Sequence, residues 1–273
     1  MKYSIRICAV SILLLFILPI ITILFGHVEY KSKENTLPEL IVSDEESIEA
    51  PLSDTFITYP EVIYRKSITY SEALIYREKI ITYISRLDDE LLNGKYTIDA
   101  ISSMTEELQR LQDILHKTLL DIERFERWIN EYPVATEVWF YLREYGYSEE
   151  VTSGILGNMM AECGGITLNL DPNAYNPYEN GGGLCGWLYQ YFPEAENANL
   201  EEQCKILTDT IEKQFDIFSF CYYRGFSYEE FLRMTSVEDI ALAFAKVYER
   251  CSSSSYALRQ DCASVAYNYF TTN

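Results

Sequence analysis

The stretch Ser148-Glu-Glu-Val151-Thr-Ser-Gly154-Ile155-Leu-Gly157-Asn158-Met159-Met-Ala-Glu162-Cys163-Gly164-Gly165 decides how the rest of the chain is read. A serine followed by two acids starts a helix: the hydroxyl caps free backbone N–H groups, and acidic side chains favour the positive end of the helix dipole. Val151, Ile155 and Met159 recur at helical spacing and predict a buried stripe, and Gly164-Gly165 ends the helix at about Cys163. Glu162 comes next on the same face, in the last turn. Burial and the negative end of the dipole both disfavour an ionised carboxylate there, so a carboxyl that keeps its proton near neutral pH is expected. A buried structural glutamate bonded to backbone would give the same pattern.

The segment after the helix bears on that choice. Asp171-Pro-Asn-Ala-Tyr175-Asn176-Pro-Tyr178-Glu179-Asn-Gly-Gly-Gly183-Leu-Cys185-Gly186-Trp187 reads as a loop or small hairpin, with Tyr189 just beyond. Aromatic faces and short amides are what a sugar chain stacks on and bonds to, and a protonated glutamic acid is what a glycosidase needs to protonate the leaving oxygen. Tyr175, Asn176, Tyr178, Trp187 and Tyr189 are therefore candidate substrate-binding residues, although some of these aromatics fit a core equally well. Asp171 and Glu179 are the candidates in this loop for a second carboxylate, and loop acids are commonly just solvated.

The run Gly154-Ile-Leu-Gly-Asn-Met-Met-Ala-Glu162-Cys-Gly-Gly resembles the G-I-L-G-N-x-x-x-E-S/C segment of phage tail lysozyme domains. Gly183-Leu-Cys-Gly-Trp187 is similar to the G-[LI]-x-Q-W element of that family, and Phe244 to Cys251 resembles its F-x-x-x-[FY]-E-R helix. Arg259 to Tyr269 matches the family's closing helix in character. The resemblance covers about residues 134–273. It implies a lysozyme-like α-helical fold with a small loop or hairpin, action on the β-1,4 linkages of peptidoglycan glycan strands, and Glu162 as general acid. Gly186 departs from the family pattern, standing where glutamine usually precedes the tryptophan. Lysozymes add a second acidic residue while lytic transglycosylases work through one glutamate, and the sequence leaves both open.

Working outward, the terminal region carries further helix starts at Ser227-x-x-Glu230, Asn199-x-x-Glu202 and Ser236-x-x-Asp239. Apolar residues succeed them at helical spacing, as in Cys204, Leu207, Ile211, Phe215 and Phe218, and five to seven helices are expected from Pro133 to Asn273. Upstream, Ile101, Met104, Leu108, Leu111, Leu115, Thr118, Ile122, Phe125 and Ile129 form a heptad stripe. A shorter stripe, Ile80, Ile84, Leu87 and Leu91, precedes it across the Asn93-Gly94 turn. Residues 63–132 are thus expected as an antiparallel helical hairpin or coiled coil. It would serve as a stalk, or as a surface for self-association or for an envelope protein partner.

Lys2 and Arg6 precede an apolar run from Ile7 to Phe25, about 19 residues, long enough at ~1.5 Å per residue to cross a bilayer. Its length, and the poor match of Leu24-Phe25-Gly26 to a cleavage site, favour an uncleaved signal anchor over residues 1–26, secretion after cleavage being the alternative. Positive charge before the run and acidic residues after it place the rest of the chain outside the membrane. Residues 27–62, with Pro38, Pro51, Pro60 and the Ser43-to-Ser47 acidic cluster, read as a flexible tether.

Without Lys2 and Arg6, 20 basic residues face 42 acidic ones, a balance of −22 that argues against nucleic acid as a partner. The terminal region has no histidine, since His27 and His116 are the only two. Cys–His peptidase, Ser–His–Asp hydrolase and His-ligated zinc chemistry each lack a required group there, and neither metal nor cofactor is expected. Six cysteines, Cys163, Cys185, Cys204, Cys221, Cys251 and Cys262, all lie in this region and suggest disulfides in an oxidising compartment.

Overall fold

The computed structural model describes residues 56, 58, 62–64, 69–222 and 226–272. The anchor expected at 1–26 and nearly all of the tether lie outside the described residues, among which no helix is long and apolar enough to cross a membrane. The described chain is mainly helical with one small antiparallel sheet.

Two long helices open it, α1 (Tyr70–Asn93) and α2 (Ile98–Glu131), capped by the Thr69 and Thr97 hydroxyls. Met104, Leu108, Leu111, Leu115, Thr118, Ile122 and Phe125 of the heptad stripe are buried, with Ala73, Ile80 and Leu87 of α1 and with Val62. Ile101 and Ile129, at the two ends of the stripe, stay exposed. Pro133 does not interrupt the chain, because proline suits the first helical position: α3 (Pro133–Tyr145) starts directly after Tyr132. The end of α2 therefore enters the core of the terminal region. Trp128 packs edge-on against Phe270 at 5.0 Å, and Trp139 stacks on Phe270 at 4.5 Å. Rings of this size bury ~150–250 Å² each, so the hairpin base and the terminal helices share one core.

Helix α4 (Glu149–Cys163) starts at the Ser148 cap, as expected, but its burial is broader than the stripe foresees. All ten residues from Val151 to Met160 are buried, because α3, α7 (Val237–Phe244) and α8 (Tyr256–Thr272) enclose it from different sides. Two glycines allow this approach. A Cβ on Gly154 would lie 2.3 Å from Ile240 Cγ2, and one on Gly157 would lie 2.4 Å from the backbone nitrogen of Ala263. The sheet, β1 (Tyr175–Asn176), β2 (Gly181–Gly182) and β3 (Trp187–Leu188), is ordered β1-β2-β3. It is fixed to α5 (Leu200–Tyr222) by Gln203, whose side chain accepts from Leu184 N–H and donates to the carbonyls of Pro172 and Ala198, each at 2.8 Å. The short α6 (Tyr228–Leu232) carries the expected capping box at Ser227 and Glu230. Six α-helices thus lie between residues 133 and 272 among the described residues.

Candidate active site

Helix α4 stops where Gly165 (φ 57°) and Ile166 (φ 73°) turn the chain into the left-handed region, and Leu168 and Leu170 fold back as buried residues. Glu162, in the last turn before these residues, keeps part of its side chain in contact with solvent. Its side chain is 27% accessible, so it is not the buried carboxyl that the stripe predicts. Oε1 accepts from Nη2 of Arg259. Oε2 faces Gly186, where a Cβ would come within 2.8 Å. Gly186 sits at φ 58°, in the left-handed region that favours glycine. A Cβ there would touch only the flexible end of the Glu162 side chain, so it is the left-handed backbone, more than lack of space, that gives glycine at this position a physical basis.

Arg259 is 3% exposed and is held from several directions. Nη1 donates to Asn158 Oδ1 at 3.1 Å and Nε to Ser255 Oγ at 3.3 Å. Asn158, itself fully buried, donates to the carbonyls of Gly154 (2.9 Å) and Ala241 (3.1 Å). The Gly-Ile-Leu-Gly-Asn run therefore works at two levels. Its glycines admit neighbouring helices, and its asparagine ties the Ala241 carbonyl of α7 to the Arg259 guanidinium of α8, which holds Glu162.

The carboxyl kept away from water is Glu249, which the sequence reading missed. It closes a π-helical turn (Ala245–Glu249) that continues α7. The residue as a whole is half-buried, but its Oε1 has no accessible surface and no hydrogen-bond partner. Burial and then the nearby Glu162 push its pKa well above the ordinary carboxylate range, with Arg259, the Cys185 thiol and Arg250 acting in the opposite direction. The signal available in the sequence was Glu249-Arg250 in the motif helix after Phe244; nothing in its spacing said which way the acid points.

The other candidate carboxylates are occupied within their own loop. Asp171 Oδ1 accepts from Asn173 N–H at 2.9 Å, and Glu179 accepts from Asn176 Nδ2 at 3.1 Å; both residues are exposed.

The aromatic candidates divide by environment. Tyr175 and Tyr189 stack at 6.2 Å and line a cleft of about 290 Å³ with Asn173, Glu196 and Asn197. Tyr178 projects into solvent, and Asn176 accepts from its N–H through Oδ1. Trp187 is a correction to the expected stacking residue: it is 3% exposed, and its Nε1 donates to Tyr248 Oη at 3.0 Å, which meets Thr210 Oγ1 at 2.9 Å. Its ring is spent on joining the sheet to α5 and the π-turn.

The expected disulfides are likewise corrected. All six cysteines among the described residues are free thiols. Cys185, Cys204 and Cys262 are buried and pack as small apolar groups, and burial pushes Cys163 and Cys204 up to about 12, leaving little thiolate for exchange. Cys251 Sγ bonds the Ala245 carbonyl instead. An unchanged melting temperature on adding reductant is the expected result; a structural disulfide would have stabilised by about 2–5 kcal/mol and shown a clear fall.

The last turn of a buried helix thus sets an acid against the turn that leads into β3 of a small sheet. The model of the phage tail lysozyme family matches residues 133–270, half of the chain, and the chain belongs to this family. No curated protein and no solved structure matches it.

Proposed function

We propose that the chain is a peptidoglycan-cleaving glycosidase, a muramidase acting on β-1,4 glycan linkages with Glu162 as general acid. The observation that carries this reading is the position of Glu162: in a phage tail lysozyme domain, it is a solvent-facing acid at a helix end, backed by a buried arginine and bordered by a glycine turn. A glycosidic oxygen reaching the exposed part of this side chain would receive its proton from the carboxyl, and neighbouring sugar rings would lie along exposed loop aromatics. Tyr175 and Tyr189 supply a stacked pair of ring faces for that purpose.

A second reading, a lytic transglycosylase using the same Glu162, draws on one specific observation. Glu249 has its Oε1 buried, while Asp171 and Glu179 are engaged within their loop. A single reacting glutamate suits intramolecular capture of the sugar cation and an anhydro product, whereas an inverting or retaining hydrolase needs a second carboxylate at the linkage. Asp171 and Glu179 remain the proposed candidates for that role in the hydrolase.

The apolar run at residues 7–25 supports a place for the protein on the outer side of a cell membrane, tethered to the lipid bilayer, where attachment would offset the repulsion between an acidic domain and an anionic wall. The helical hairpin would then space the domain from the membrane or dock an envelope partner.

Mass spectrometry of the soluble products after the full-length chain is incubated with peptidoglycan tests the function. Reducing-end muropeptides establish the hydrolase and anhydro ends the transglycosylase; intact binding with no release would reduce the domain to a wall-binding module. Tyr175→Ala is expected to raise KM several-fold with little change in kcat, since an exposed stacking face is worth ~0.5–1.5 kcal/mol. A wild-type KM would remove Tyr175 from the binding surface.

A further inference from the structure

The cleft beside the sheet has two rims, each set by backbone geometry. One rim holds Asn173 and, on β1, Tyr175, whose hydroxyl donates to Asn180 Oδ1 at 3.1 Å. The other is the turn 195–198, closed by a bond from Ala198 N–H to the Ala195 carbonyl at 3.3 Å. Glu196 (φ −67°, ψ 117°) and Asn197 (φ 66°) fill its two central positions with type II dihedrals, and asparagine is one of the few residues that tolerate the second. Gln203, 2% exposed, lines the cleft between them and donates to the carbonyls of Pro172 and Ala198, one from each rim.

This framework leaves one group without a task. Among the described residues that line the cleft, Glu196 alone carries a charge, and its carboxylate makes no hydrogen bond or ion pair with any described residue. Asp171 and Glu179, the two loop acids, are by contrast each bonded to a neighbour. A rigid turn that holds a free carboxylate in one cleft with two stacked tyrosines offers what a primary ammonium requires. The carboxylate accepts its N–H groups, and the negative faces of the rings attract the cation. A neutral sugar needs the rings and the amides but no charge.

The cleft is within reach of the candidate active site. Gly186 lies against Glu162, and Tyr189 is three residues further on, at most about 11 Å along an extended chain. The charge of the whole chain, −20, also favours a ligand that is positive.

We propose that this cleft is a subsite for a primary ammonium group of the wall polymer, with Glu196 as its counter-ion and the Tyr175 and Tyr189 rings beside it. The protein then favours peptidoglycan whose amines are free. The proposal rests on the reading of peptidoglycan as the substrate. Two parts of that polymer supply such an amine: an amino sugar that lacks its acetyl group, and the diamino acid of a stem peptide.

The test follows release of soluble fragments by full-length wild type and Glu196→Gln, on wall as isolated and on wall whose amines have been acetylated. Acetylation is expected to raise the wild-type KM about three- to tenfold, the range of an exposed ion pair with a cation–π contact. Glu196→Gln should start from the raised KM on untreated wall and change little on acetylation. A change in overall wall charge acts on both proteins alike, so the difference between them reads the cleft. Because the Glu196 carboxylate bonds to no described residue, the melting temperature of the variant should stay within about two degrees of wild type. Glycan strands freed of stem peptides, with and without deacetylated glucosamine, assign the source. A preference that follows the sugar amine puts the amino sugar in the cleft, and one that vanishes with the peptide puts the diamino acid there.

An equal KM for wild type on both walls would overturn the proposal, as would a preference for free amines that Glu196→Gln keeps in full. The same comparison, made as co-sedimentation of full-length Glu162→Gln with intact wall, with and without Glu196→Gln, reads affinity without turnover. An amine preference in that assay, with no cleavage by wild type, would sink the glycosidase reading and uphold the cleft. Cleavage by wild type with no amine preference would sink the cleft alone.

Discussion

Replacing Glu162 with glutamine is expected to lower glycan cleavage by about 10²–10⁴-fold while leaving the fold in place. Glutamine has nearly the shape of glutamate and still offers an oxygen to Arg259 Nη2, but it cannot give up a proton to a leaving oxygen. Because the Glu162 side chain is 27% accessible, water solvates much of what the lost charge had satisfied, and the melting temperature should move by only a few degrees. The measurement is the initial rate of release of soluble fragments, beside a thermal melt of the same preparation. A rate within a few-fold of wild type would show that another group supplies the proton.

Arg259→Met is expected to cost both stability and activity. The methionine lacks the guanidinium, and Asn158 Oδ1, Ser255 Oγ and the Glu162 carboxylate lose their shared donor in a site where Arg259 itself is 3% exposed. Removing one member of a buried charged network leaves the others unpaired, and a loss on the order of 3 kcal/mol is expected, reduced somewhat because Glu162 still reaches water. Denaturant unfolding should show an earlier midpoint with little change in slope. Activity should fall with it, since the group that holds Glu162 in position is gone. Arg259→Lys would retain the charge but not the fork that reaches Asn158 and Glu162 together, so it should recover stability only in part. A wild-type midpoint in the methionine variant would mean that Arg259 holds nothing in place.

The helical skeleton was legible because it is local. Ser148, Ser227 and Ser236 each accept the backbone N–H three residues on, as any short polar residue ahead of an apolar periodic run will do. The heptad stripe of α2 likewise points to a buried seam wherever the partner helix lies. Glu162 was found for the same reason, as the acid in the last turn before two glycines.

Its surroundings were not legible in that way. Thr152, Ser153, Gly154, Gly157 and Asn158 of α4 fall outside the apolar stripe and are buried as well, since small residues mark close helix approach as readily as exposure. Trp187 looked like a sugar platform beside the turn formers and proved to be core, because the sheet folds it onto Tyr248, 61 residues away in sequence. Cysteine number suggested pairing, whereas pairing depends on which thiols the fold brings together.

The sequence by itself therefore determined the elements, their caps, the membership of the phage tail lysozyme family and the acid on which its chemistry is proposed to depend, all carried by residues close together in the chain. The tertiary structure alone decided what surrounds that acid. Arg259, which holds Glu162, lies 97 residues from it in the chain, and the buried Oε1 of Glu249 comes from a separate π-turn. Charge balance in a site is a sum over everything the fold brings near it, and no local spacing along the chain encodes that sum.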